Sequence, residues 1–358
     1  MKLLIVRLSS IGDVIQGIPC LVALKESFPD WKISWLVEET SEAVLRGHPH
    51  LDQLFVLKRK WRTRTGGESR KDGVRNFLQT WQAIRGEHFD AAIDLQGLFK
   101  SGLWTWLSHA PRRIGHNRTR EFAHAFLNEY VSDRPMFDPR YPLIDRYLEP
   151  AKTLGADLSK ARYVLPPTSK TTVAEVDALL QSPDRNPQWI AFCPWSAWKS
   201  KNWPADFWKE LLESLREEHR ILLIGSSAES PHIPKLMERE HPHVKNLVGQ
   251  TTLPTLMEIF RRCRLVVGPD TGPMHLANAT GVPKILMLFG STSWRRSGPY
   301  GSGHASLSLD LDCQPCFQRI CPLEHQNCLK QLGPKTVLQK IRELLAIQRK
   351  PEVLSGCE

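Results

Sequence analysis

Apolar positions fall into two series of short continuous runs, most of them followed by a stretch with helical spacing. In the first series Lys2–Leu8 (KLLIVRL), Lys32–Glu38 (KISWLVE), Gln53–Lys58 and Ala91–Gln96 (AAIDLQ) read as strands, and Asp13–Ser27 reads as an amphipathic helix. In the second, Trp189–Trp195 (WIAFCPW), Arg220–Gly225 (RILLIG), Val244–Gly249, Arg264–Asp270 (RLVVGPD) and Pro283–Gly290 (PKILMLFG) read as strands. Thr252–Arg262 and Gly272–Ala279 carry helical patterns between them, and Pro334 opens a last helix to about Gln348, since proline is tolerated in a first turn. Runs without a polar face suit strands covered by helices on both sides. The expected class is therefore α/β with parallel, doubly wound sheets.

Between the series, Val131–Pro167 carries Pro135, Pro139, Pro142, Pro150, Pro166 and Pro167, with a helix expected near Leu143–Leu154. Proline density of this kind marks a boundary. The expected division is 1–165, 166–333 and a C-terminal helix and tail, 334–358. Two Rossmann-like halves facing a central cleft suit a two-substrate enzyme, because ligands of open α/β sheets bind outside the carboxyl ends of the strands.

A length of 358 residues is enough for two such halves, each with its own core. The formal charge of +10 favours an anionic partner: nucleic acid, a phospholipid surface or a phosphorylated substrate. Nucleic acid is disfavoured, since no RNP-like aromatic pattern, helix-turn-helix or finger spacing appears. No apolar run reaches 18 residues, and Arg7 and Asp13 interrupt the N-terminal stretch where a signal peptide needs continuity. A cytoplasmic location with reduced thiols is the expectation.

Four loops that follow strands carry candidate chemistry. Leu8-Ser9-Ser10-Ile11-Gly12-Asp13 opens a helix whose free N–H groups can face an anion; Gly12 suits a tight turn and Asp13 suits a general base, with Ser10 or Asp13 as a plain helix cap the alternative. Asp270-Thr271-Gly272-Pro273-Met274-His275 places backbone amides at a second helix start, where an anion would sit, with a plain Asp270 cap and a packed His275 the alternative. Trp198-Lys199-Ser200-Lys201-Asn202-Trp203-Pro204 brings lysines to a strand's carboxyl end, suited to a diphosphate. In Gly225-Ser226-Ser227-Ala228-Glu229, Glu229 could accept hydrogen bonds from a ribose.

Taken together these motifs resemble the heptosyltransferases of glycosyltransferase family 9. The opening VRLSSIGDVIQGIPCLVALKESFPDWKISWLVEE, the segment IDLQGLFKSG, the KNWP element and the DTGPMHLA helix start carry the resemblance over nearly the whole chain. It implies a GT-B fold with the acceptor on the first half and ADP-heptose on the second. It implies Asp13 as base, with Lys201, the amides of Thr271 and Gly272, and His275 holding the diphosphate beside Asp270. Ser196 would sit near the phosphates and Glu229 at the ribose, while Ala197 stands where relatives often carry a second hydroxyl. Ser10, Gly12, Gln96, Lys100 and the basic Arg59, Lys60, Arg62 and Arg120 would meet the acidic Kdo–lipid A acceptor at the periphery of the inner membrane; a solvated charged face is the alternative for the basic residues. With no D-x-D element in these motifs, metal-independent inverting transfer to the inner core of lipopolysaccharide is expected, without a cofactor. Closest in pattern are the first-heptose enzymes; second- or third-heptose and protein heptosyltransferases remain as alternatives.

Eight cysteines are present, and Cys313, Cys316, Cys321 and Cys328 fall within sixteen positions. Such a group could hold structural zinc or iron, with His325 as a substitute ligand; reduced thiols and a disulfide stay open.

Overall fold

A computed structural model describes residues 1–58, 70–131, 137–182, 189–237 and 239–346. Its first sheet comprises β1 (Lys2–Val6), β2 (Lys32–Glu38), β3 (Gln53–Leu57), β4 (Ala91–Asp94), β5 (Arg112–Gly115) and β6 (Glu129–Tyr130), in the order β3-β2-β1-β4-β5-β6. The second comprises β7 (Trp189–Phe192), β8 (Ile221–Leu223), β9 (Val244–Asn246), β10 (Cys263–Pro269), β11 (Ile285–Phe289) and β12 (Ala305–Ser308), in the order β12-β11-β10-β7-β8-β9. Every neighbouring pair is parallel. The helices are α1 (Ile11–Ser27), α2 (Arg70–Gly86), α3 (Phe99–Leu107), α4 (Leu143–Thr153), α5 (Lys170–Leu180), α6 (Ala205–Leu215), α7 (Ile233–Leu236), α8 (Leu253–Arg261), α9 (Gly272–Ala279), α10 (Trp294–Ser297), α11 (Asn327–Lys330) and α12 (Pro334–Ala346).

The expected α/β class with parallel sheets is the observed one, and the differences are local. The strand expected to reach Leu8 ends at Val6, because the Leu8 N–H leaves the ladder for the Gln96 side-chain oxygen at 2.9 Å. Three strands were not expected: β5 and β6, whose RRIG and EY sequences lack an apolar run, and β12, which lies half-buried at a sheet edge. Helix α12 packs on α6 and adds Val337, Ile341 and Leu344 to the second sheet's core.

Both sheets run outward from their centre and then jump back. The chain makes β1, β2 and β3 to one side and places β4 on the other; β7, β8 and β9 are followed by β10 across β7. Each jump opens a crevice at the carboxyl ends, between β1 and β4 and between β7 and β10. Helix α1 joins the two halves. Its Val14, Ile15 and Ile18 belong to one apolar cluster with Tyr147 and Leu148 of α4 and with Met257, Met274 and Leu276 of α8 and α9. Each such fully buried apolar side chain contributes about 1.5–3 kcal/mol, so α1 is fixed from both sides.

Two buried histidines make this structure acid-sensitive. His48 bonds the Val164 carbonyl at 2.8 Å, His116 lies against Glu149 and Arg146, and burial pushes each imidazole down to about 4. Unfolded, each would titrate near 6.5. The neutral form is therefore favoured in the folded chain, and its stability is complete above pH 6.5 and falls as pH drops towards 4. A loss of about 2 kcal/mol per histidine is expected by pH 5. Urea midpoints at pH 7 and pH 5 measure it: the gap should shrink in His48→Gln, and an unchanged gap would remove His48 from the effect.

Candidate active site

The four candidate loops all lie at carboxyl ends of strands in the second sheet's and first sheet's crevices or beside them. Ser10 sits just before α1, and both its N–H and its hydroxyl donate to Asp13 Oδ2, at 3.3 and 2.8 Å. Asp13 thus braces the helix start, as the capping alternative held, but it does more. Arg7 Nη2 lies 2.7 Å from the same carboxylate, and the Asp13 side chain keeps 30% of its surface open while Arg7 keeps 6%. Burial pulls the Asp13 carboxyl upward; Arg7 first, then Arg296 and the Ser10 hydrogen bonds, outweigh it and hold the group below the ordinary carboxylate range. Asp13 is consequently an ionised carboxylate with an accessible face. Arg7 itself is held by stacking over Tyr147, 5.4 Å from the ring centroid.

Gly12 serves a different purpose from the expected turn. It lies inside α1, and a Cβ there would come within 2.8 Å of His275 Cδ2 and 3.5 Å of the Gly272 Cα; a Cβ on Gly272 would meet Ile11 Cγ2 at 2.7 Å. Two glycines let the first turns of α1 and α9, one from each half, touch. Their positive ends converge on one spot.

Beside that joint, Asp270 accepts from Lys201 Nζ at 2.9 Å through Oδ2 and pairs with His275 Nε2 at 3.0 Å through Oδ1. Burial raises the Asp270 carboxyl, but Lys201 and then His275 lower it far below its ordinary value. Lys201 also reaches the Asp270 carbonyl at 3.0 Å and lies 4.6 Å from the Trp198 ring centroid. Thr271 precedes α9, and its hydroxyl is buried with no hydrogen-bond partner among the described residues. A buried orphan hydroxyl at a helix start, next to a lysine, fits an anionic oxygen.

The neighbouring loops are positioned by their own bonds. Ser196 N–H donates to Asn202 Oδ1 at 2.7 Å, Asn202 Nδ2 returns a bond to the Ser196 carbonyl, and Ser196 Oγ accepts from the Trp198 N–H. Asn202 therefore ties the Ser196 loop to the residue that follows Lys201. Glu229 accepts from the Ser226 N–H and hydroxyl, which fixes it at the carboxyl end of β8.

In the first half, the IDLQG segment acts as a brace. Asp94 Oδ1 accepts the N–H groups of Gln96 and Gly97 and Oδ2 accepts the Ser101 hydroxyl, while Gln96 Oε1 is committed to Leu8. Gln96 is 3% exposed, so its oxygen shapes the loop after β1 rather than meeting solvent. Lys100 reaches across to Ser9 Oγ at 3.0 Å and Glu38 at 2.7 Å. Arg120 is exposed and stacks over Phe137, 3.9 Å from the centroid. Arg59, Lys60 and Arg62 lie outside the described residues.

The sequence reading passed over Arg7, Asn202 and Arg296. Arg7 had a signal, a lone charge in an otherwise apolar run. Asn202 had one as well, its place in the KNWP element beside Lys201, whereas Arg296 had none.

Cys313, Cys316, Cys321 and Cys328 do converge, with His325, on one cavity of about 20 Å³. They are free thiols, and burial first, then the neighbouring thiols, push Cys328 up to about 11. Among the described residues no group of three or more His, Cys, Asp or Glu is placed to hold a metal ion. The structural zinc or iron expected here is not supported by this geometry.

Among the described residues no helix is long and apolar enough to cross a membrane. Residues 77–327 match glycosyltransferase family 9 (heptosyltransferase). The chain is 27% identical to lipopolysaccharide heptosyltransferase 1 of Pseudomonas aeruginosa, covering 96% of this chain and 98% of that one. A family 9 glycosyltransferase from Veillonella parvula superposes with a TM-score of 0.81 at 21% identity, over 96% and 97% of the two chains. The E. coli heptosyltransferase WaaC with ADP-2-deoxy-2-fluoro heptose superposes with a TM-score of 0.72 at 25% identity, over 96% and 99%. With a GT-B architecture of two parallel sheets and the family match over most of its length, the chain belongs to glycosyltransferase family 9 and is a transferase of the heptosyltransferase kind.

Proposed function

We propose that this enzyme transfers heptose from ADP-L-glycero-D-manno-heptose to the Kdo region of the lipopolysaccharide inner core, with inversion and without a metal ion. The observation that carries the reading is the joint of α1 and α9, where an ionised, open Asp13 from one half meets Lys201, His275 and the Thr271 hydroxyl from the other. Residues 1–165 then serve the acceptor and residues 166–333 the donor.

In this mechanism Asp13 takes the proton of the attacking acceptor hydroxyl, whose oxygen forms the new bond to the anomeric carbon. The bond from that carbon to the diphosphate breaks on the opposite side, and ADP leaves with the electron pair. Lys201, His275 and the Thr271 and Gly272 amides meet the growing charge in a buried setting, the role a divalent cation fills elsewhere. Asp270 holds Lys201 and His275 in place, Ser196 faces the phosphates and Glu229 the ribose. One base and no second nucleophilic carboxylate fit a single displacement. No cofactor is needed in this scheme.

Ser10, Lys100 and Arg120 border the acceptor side, with Arg59, Lys60 and Arg62 assigned there from sequence alone. An acceptor anchored in lipid, and a net charge of +10, support work at the periphery of the cytoplasmic face of the inner membrane. The test is a transfer assay with ADP-heptose against Kdo–lipid A and against its one-heptose product. Faster transfer to Kdo–lipid A supports a first-heptose enzyme; a preference for the one-heptose product assigns the second position, and transfer to neither contradicts the lipopolysaccharide reading.

A further inference from the structure

We propose that Arg296, on the donor half, binds the anionic group of the acceptor together with Arg120 of the opposite half. The inference rests on the reading in which Asp13 activates an acidic sugar acceptor.

Arg296 lies on α10, which the Ser293 hydroxyl ties to the segment between the halves by donating to the Pro139 carbonyl at 2.5 Å. There the Phe137 ring carries Arg120 at 3.9 Å on behalf of one half and Arg296 at 5.9 Å on behalf of the other. Two cations are thus gathered on one aromatic ring. Neither Arg120 nor Arg296 has a carboxylate within ion-pair distance among the described residues. Arg120 is exposed and Arg296 half-buried, each free of a direct ion pair among those residues, so an arriving carboxylate or phosphate can take two-pronged hydrogen bonds from them.

Room for the rest of a sugar lies alongside. A cavity of about 340 Å³ runs between the halves, bounded by Gln16 and Ile144 on one side and by Trp294, Arg296 and Tyr300 on the other. Gln16 stands one turn beyond Asp13 on α1, and Arg296 is close enough to Asp13 to help keep it ionised. An acceptor whose acid group sits on Arg296 therefore has its hydroxyl near the base. The donor's diphosphate is the competing anion, but it has its own lysine, histidine and amides at α9.

The test uses full-length enzyme, deacylated Kdo–lipid A as acceptor, and three acceptor forms: intact, carboxyl methyl ester and dephosphorylated. Arg296→Ala should raise the KM for the intact acceptor about 10- to 100-fold, the effect of one charge-assisted contact, with an ADP dissociation constant unchanged by calorimetry. Removing the recognised anion, carboxylate or phosphate, should bring wild type and variant to the same KM, and Arg296→Lys should recover part of the loss. An unchanged melting temperature shows that the variant is folded. An unaltered KM, an equal rise on all three acceptors, or a parallel loss of ADP affinity overturns the proposal. Wild-type failure to use the intact acceptor would instead overturn the functional reading beneath it.

Discussion

Asp13→Asn is expected to lower turnover by about 10²–10⁴-fold, the contribution of a placed general base. Asparagine keeps the shape and can still accept from Ser10 and Arg7, so the helix start survives while the proton acceptor is gone. Affinity for ADP should stay near wild type, because the donor contacts come from α9 and the Lys201 loop. Turnover within a few-fold of wild type, in a variant of normal melting temperature, would remove Asp13 from the chemistry. The pH profile offers a second view. Asp13 must be ionised to act, and its carboxyl lies below the ordinary range, so activity should persist as pH falls and fail only through that lowered value. Arg7→Met removes the strongest lowering influence and leaves burial in charge, and the acid limb should then move to higher pH.

Lys201→Ala should cost about 10²–10³-fold in kcat/KM for ADP-heptose, the size seen when one preorganised charge-stabilising donor is removed. The loss should fall on turnover as well as on binding, since the charge on ADP grows as its bond to the sugar breaks. Lys201 is also half of a buried pair: its side chain is 14% and that of Asp270 7% exposed. Removing it leaves Asp270 with His275 alone, and about 3 kcal/mol of stability is expected to go with it. Because binding and stability fall together, Lys201→Arg is the control that keeps the charge and should recover both in part. Undiminished kcat/KM in folded Lys201→Ala would contradict the donor clamp.

The sequence disclosed the parts of the structure that follow from local pattern. Apolar runs such as KLLIVRL and PKILMLFG read as buried strands and hold β1 and β11, and the loops after them were the natural places for chemistry. What escaped was decided by neighbours distant in sequence. The RRIG and EY strands are held by pairing with β4 and each other, not by hydrophobicity. Gly12 looked like a turn residue because nothing local announces that His275, far along the chain, packs against its missing Cβ. Gln96 was placed on the acceptor side by resemblance, and that its oxygen also satisfies the Leu8 N–H where β1 ends depends on a neighbour far along the chain. Arg7 and Asp13 were both visible, but their pairing depends on the turn between strand and helix. The cysteines were legible as a cluster, whereas whether their placement suits a metal is a matter of three dimensions, and among the described residues no such group is found.

The central claim is that one carboxylate and a lysine–histidine–amide clamp suffice for heptose transfer at the α1–α9 joint. A single-turnover reaction of ADP-heptose with deacylated Kdo–lipid A, run in excess EDTA and read by NMR of the new glycosidic linkage, tests it most directly. The account predicts full transfer with the anomeric configuration inverted relative to the donor. Retained configuration, or transfer abolished by EDTA and restored by magnesium, would contradict it.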